Sequence, residues 1–60
     1  MDMVIYINCD NSAFCDAPHQ EVSRILIELG ENIEKNENIK KCKLRDINGN
    51  EVGYVNIAEY

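Results

Sequence analysis

Val22, Ile25, Leu26, Leu29 and Ile33 recur at helical spacing and, at about 100° per residue, lie within about 50° of one line along a helix. No second stripe of this kind exists in the chain. A lone amphipathic helix cannot bury its apolar face on itself, so the rest of the sequence has to supply a sheet. Asp16-Ala17-Pro18 reads as the helix start, since an Asp oxygen can cap free amides and Pro is tolerated in the first turn. The helix is expected to run to about Lys35.

The strands are found on either side of it. Met3-Val4-Ile5-Tyr6-Ile7 is short, β-branched and aromatic, which suits a strand. Both of its faces are apolar: Met3, Ile5 and Ile7 point one way, Val4 and Tyr6 the other, so one covering helix leaves a set unburied. Ile39 to Ile47 alternates, with Cys42 and Leu44 inward and Lys41, Lys43 and Arg45 outward. Asp46-Ile47-Asn48-Gly49-Asn50-Glu51 is a hairpin signal, because Asn-Gly supplies the positive φ that tight turns need. Val52 to Ala58 is the returning strand, with Val55 and Ile57 on one face and Val52 and Tyr54 on the other. The expected fold is a single α+β domain over residues 1–60, ordered β-α-β-β, with one helix on a small three-stranded sheet ending in a hairpin.

Sixty residues bury only about 60% of the surface that their unfolded chain exposes, so stability is expected to be marginal and self-association a natural supplement. The apolar surplus of the first and last strands, with Ile27 about 120° away from the helix stripe, marks Val4, Tyr6, Ile27, Val52 and Tyr54 as the expected homodimer surface. Gly30, inside the helix, reads either as close approach of another backbone or as simple tolerance.

Charge narrows the partners. Eleven Asp and Glu against six Lys and Arg leave a formal charge of −5, which disfavours direct binding of nucleic acid or an anionic membrane and suits a basic protein surface. No apolar run approaches a membrane span, the start lacks the basic residues of a secretory signal, and three cysteines cannot all pair within one chain; the expected location is the cytoplasm, with the cysteines as free thiols. The loop from Asn8 to Asp16 is rich in turn-forming side chains, with Phe14 either anchoring it to the core or gripping a partner. The loop and the outer helix face together suggest Asp10, Asn11, Phe14, Arg24, Glu28 and Glu31 as partner-binding residues.

Chemistry is sparse. Cys9, Cys15, His19 and Cys42 lack the close pairs of structural zinc sites, and Cys15 with His19 has no third group to orient a nucleophile. Phosphate loops and calcium-hand spacing are missing too. The expectation is no enzyme activity, no metal and no cofactor. Lys41, Lys43 and Arg45 share one strand face and could contact phosphate, although exposed basic residues on an edge strand more often guard against aggregation.

Three segments carry a resemblance: Asn8-Cys9-Asp10-Asn11-Ser12-Ala13-Phe14, Glu21-Val22-Ser23-Arg24-Ile25-Leu26, and Leu44-Arg45-Asp46-Ile47-Asn48-Gly49-Asn50-Glu51-Val52-Gly53. In that order they resemble a family of very small proteins encoded in bacteriophage and prophage genomes, and the chain is similar to small anti-defence proteins of the Hachiman-inhibitor kind. The motifs are fold-forming and bring no catalytic residues. Cys9, Cys15 and Cys42 depart from the family pattern and weigh against a redox or metal role. The resemblance implies an inhibitor that binds a bacterial defence protein. The alternatives are a structural or regulatory phage interaction module, and a sponge for a nucleotide signal.

Overall fold

The computed structural model describes residues 1–58. Strand β1 (Asp2–Ile7) leads through a loop holding one 3-10 turn (Ser12–Phe14) into helix α1 (Pro18–Lys35); strands β2 (Lys41–Arg45) and β3 (Glu51–Ala58) follow. The sheet order is β1-β3-β2, with both outer strands antiparallel to β3. The expected α+β class and element order are therefore observed. The last strand occupies the centre, while β1 and β2 form two edges running in the same direction.

The helix begins at Pro18 with Ala17 as its cap residue, and Asp16 does not cap it: no side chain bonds to the first free amides. Proline needs no amide partner at this position, and Glu21 places an acid in the first turn, where the helix dipole favours it. Ile25 and Leu29 are buried, and Val22 and Ile33 pack at the margin of the core. Leu26 does not join them, being 41% exposed. On the helix circumference it lies on the flank opposite Glu21, Arg24 and Glu28, the flank that leans toward β2. The helix meets the sheet at β2 and shares the core with β2 and β3.

Phe14, Ile25, Leu29, Leu44, Val52 and Val55 form the core. Val52 was expected on the open face, and for Phe14 a core position and a partner position were both open. Phe14 is 3% exposed, which makes it the anchor of its loop and removes it from any partner surface. Val52 is 6% exposed and is removed from the expected dimer surface for a geometric reason. The register passes from Leu44 opposite Gly53 to Arg45 opposite Glu51, leaving Val52 as the extra residue of a β-bulge. Simple alternation would send Val52 outward with Tyr54; the bulge turns it inward beside Val55.

The hairpin closes over Ile47-Asn48-Gly49 rather than as a two-residue turn. The Asp46 N–H donates to the Asn50 carbonyl at 2.9 Å, the Gly49 N–H donates to the Asp46 carbonyl at 3.0 Å, and Gly49 has φ +86°. This is a type I turn followed by a left-handed residue, the usual three-residue hairpin. Because Asp46 opens the turn, β2 ends at Arg45, short of the expected Ile47, which is 70% exposed.

Along β1, Met3, Val4, Ile5 and Tyr6 are all 41–55% exposed and only Ile7 packs on the core. The radius of gyration is 12.0 Å, against about 10.4 Å for a compact domain of this length, in keeping with a strand that protrudes from the packed part. Gly53 is buried at the bulge, and a Cβ there would collide with the backbone carbonyl of Tyr6 on β1. Gly30 has open space around it, so no other backbone of this chain approaches it.

These two glycines give opposite expectations. Gly53→Ala should force β1 and β3 apart and destabilise by about 3 kcal/mol or more, a large share of what a domain this small possesses. Gly30→Ala should stabilise by about 1 kcal/mol through helix propensity. Urea unfolding of the two variants beside the parent checks both signs.

Candidate functional site

Among the described residues two carboxylates are buried, and both serve the fold. Glu21 is 7% and Asp46 4% exposed. Glu21 Oε1 accepts from Arg24 Nε at 2.6 Å, and its Oε2 accepts from the Ile47 N–H at 2.9 Å, joining the first turn of α1 to the hairpin tip. Arg24 also bonds Glu28 at 3.0 Å and donates from Nη2 to the Arg45 carbonyl at 3.2 Å. Asp46 Oδ1 accepts from the N–H groups of Asn48 at 2.9 Å and Asn50 at 2.8 Å. Its Oδ2 accepts from Asn11 Nδ2 at 2.6 Å and from Asn50 Nδ2 at 3.3 Å. Asn11 Oδ1 in turn accepts from the Ala13 N–H at 3.1 Å and caps the 3-10 turn that delivers Phe14 to the core.

Two of the expected partner residues take part in this network. Asn11 is a structural link between the loop and the hairpin, and Arg24 is bound on three sides. Both carboxyl groups titrate below their ordinary values. For Glu21 the hydrogen bond from Arg24 is the leading cause, followed by the one from the Ile47 N–H. For Asp46 burial pushes upward, but the bonds from Asn50, Asn11 and Asn48 together outweigh it.

The groups that remain available lie on two separate surfaces. On the sheet face away from the helix, Tyr6 and Tyr54 stand opposite one another with ring centroids 5.5 Å apart, and Val4 continues the row on β1. The Tyr pair borders a shallow depression whose rim includes Asn8, Asp10, Asn11 and Glu51. Three expected dimer residues, Val4, Tyr6 and Tyr54, are thus brought together, with Asp10 of the expected partner set beside the tyrosines. Ile27, 61% exposed, lies on the outer helix face among His19, Ser23, Glu28 and Glu31. The depression around Ile27 is separate from the one beside the tyrosines.

The remaining groups are scattered or engaged. Cys9 and Cys15 are exposed and Cys42 is half-buried against the core, all as free thiols. Among the described residues no three His, Cys, Asp or Glu side chains are placed to hold one metal ion, and no helix is long and apolar enough to cross a membrane. Of the three basic residues on β2, Lys43 pairs with Glu51 at 3.5 Å and Arg45 donates to the Gly49 carbonyl at 3.1 Å. Those contacts reduce what β2 could offer a phosphate. Comparison with protein-family models, curated proteins and solved structures gave no match.

The depressed carboxyl values set the direction of the acid response. Each group binds protons more readily in the unfolded chain, so its contribution is present above the ordinary values of 4.5 and 3.8 and disappears as pH falls through the lower folded values. The melting temperature should hold level from pH 7 to about 5.5 and drop steadily below about pH 5. Asp46→Asn, which puts an amide donor against the donors of Asn11 and Asn50, should lower it at pH 7 and flatten the acid limb. A thermal melt series across pH for both proteins checks this, and a melting temperature that rose between pH 5 and pH 3 would contradict it.

Proposed function

We propose that the chain is a non-enzymatic, phage-encoded inhibitor that binds and blocks a bacterial anti-phage defence protein in the host cytoplasm. The observation that carries the reading is the uncovered sheet face, where the Tyr6–Tyr54 pair borders a depression also lined by Asp10 and by Glu51, the latter paired with Lys43. An aromatic pair in reach of carboxylates suits a lysine or arginine side chain, whose cation is attracted by the ring faces and by the acids together. Aromatic residues also dominate the binding energy of protein interfaces. The formal charge of −5 favours encounter with a basic surface. The resemblance of the loop, helix and hairpin segments to small anti-defence proteins gives that surface its biological setting.

The outer helix face, with Ile27 between Arg24, Glu28 and Glu31, is a second and more polar area. Arg24 is held there by its two carboxylate partners, which leaves Ile27, Glu28 and Glu31 as the groups able to meet another surface.

The test expresses the chain in bacteria that each carry one defence system and measures phage plating. One system is expected to be neutralised, and its protein to bind the purified chain directly. Tyr54→Ala should weaken that binding about thirtyfold, the equivalent of about 2 kcal/mol at an aromatic hot spot, and Asp10→Lys should weaken it further. Circular dichroism checks that both variants keep their fold. Relief of no defence system, with recovery of a phage protein as the binding partner, would replace this reading with a structural or regulatory phage module.

A further inference from the structure

The free edge of β1 is patterned to pair with itself. Along a strand the N–H and C=O of one residue point to the same side, and successive residues alternate sides. The Asn8 N–H is turned toward β3, donating to the Val52 carbonyl at 2.7 Å, and the Ile57 N–H of β3 is turned toward the β2 side, donating to the Lys40 carbonyl at 2.8 Å. With the observed register of Val4 opposite Asn56 and Tyr6 opposite Tyr54, the even-numbered residues of β1 bond to β3. Met3, Ile5 and Ile7 therefore direct their backbone groups outward, where β1 has no neighbouring strand among the described residues.

We propose that two copies of this chain join β1 to β1 about a two-fold axis through Ile5, forming one six-stranded antiparallel sheet. In that register Ile5 faces Ile5 of the second copy and Met3 faces its Ile7, so all three outward residues are paired and every pair can exchange two hydrogen bonds. Val4 falls opposite Tyr6 of the second copy on the open face. The aromatic row of one copy thus continues into the other, and the depression beside Tyr6 and Tyr54 gains a wall that one chain does not supply.

Two further observations favour a second copy as the occupant. The first is charge. Asp2 is the one charged residue of β1, and in this register it lies about 20 Å along the strand from its symmetry mate, more than two screening lengths at physiological salt. The acids of the outer helix face stay away from the junction. The other edge, β2, carries Lys41, Lys43 and Arg45, so the joined sheet ends on both sides at strands guarded by positive charge, and growth stops at two.

The second is area. Tyr6 at 48% exposure still presents about 100 Å², taking roughly 200 Å² for the whole side chain. Met3, Val4 and Ile5, between 41% and 55% exposed, add apolar surface beside it along the same strand.

The experiment needs no host target, so its outcome is independent of the inhibitor reading. Light scattering behind size exclusion should give twice the 6.9 kDa chain mass at micromolar concentration, and Ile5→Pro, which removes an outward N–H and no bond to β3, should halve it with the helix signal retained. In a background with Cys9, Cys15 and Cys42 changed to Ser, Ile5→Cys should couple two chains through a disulfide on mild oxidation, because facing residues have Cα atoms about 5.5 Å apart. Val4→Cys should not, since its symmetry mate is displaced by two residues along the strand. A monomer at every concentration, a dimer indifferent to Ile5→Pro, or coupling through Val4→Cys in place of Ile5→Cys would overturn the proposal.

Discussion

The arrangement depends on two buried carboxylates. Glu21 fixes the first turn of the helix to Ile47 at the tip of the hairpin, and Asp46 holds that tip closed while binding Asn11 in the loop after β1. Three segments far apart in sequence are thereby joined at one end of the molecule. A buried carboxylate is costly unless its oxygens are satisfied, and here each of the four oxygens has a partner. The apolar core then packs beside a polar end of fixed geometry, with Phe14 pressed inward by the same loop.

What the network secures also defines what it leaves open. It ties the helix to the β2–β3 hairpin, and the core residues come from those elements and Phe14. β1 is attached through its ladder to β3, without a helix above most of it. Its apolar residues are the natural consequence of a sixty-residue chain with one helix to cover three strands. The face of this uncovered strand joins the tyrosine depression, and its edge is the proposed seam between two copies.

Much of the fold was legible in the sequence because it rests on periodicity and turn chemistry. The strand before the loop, the helix to Lys35 and the Asn48-Gly49 hairpin follow from local patterns. The inward set Cys42 and Leu44 follows from alternation. Val52 was not legible, since a bulge leaves composition unchanged and reverses the phase of one residue. Leu26 fits the helical stripe as well as Val22 does; only the position of the sheet beneath the helix separates them. Glu21 and Asp46 resemble surface acids, because their burial is decided by contacts across 26 and 35 residues. One local clue was present, in that Asp46 and Gly49 occupy the first and fourth places of a type I turn, where an aspartate bonds the turn's own amides. For the candidate site, alternation suggested that Val4, Tyr6 and Tyr54 share the open face, whereas the placement of Asp10 beside the tyrosines depends on how the loop folds back.

Amide hydrogen exchange measured residue by residue at several protein concentrations tests most directly the claim that the free edge of β1 is the interacting element. The account predicts that Val4 and Tyr6, bonded to β3, are protected at every concentration, while protection at Met3, Ile5 and Ile7 rises with concentration as the outward groups find partners. Exchange at Met3, Ile5 and Ile7 that stays fast at all concentrations, or that matches Val4 and Tyr6 throughout, would contradict it.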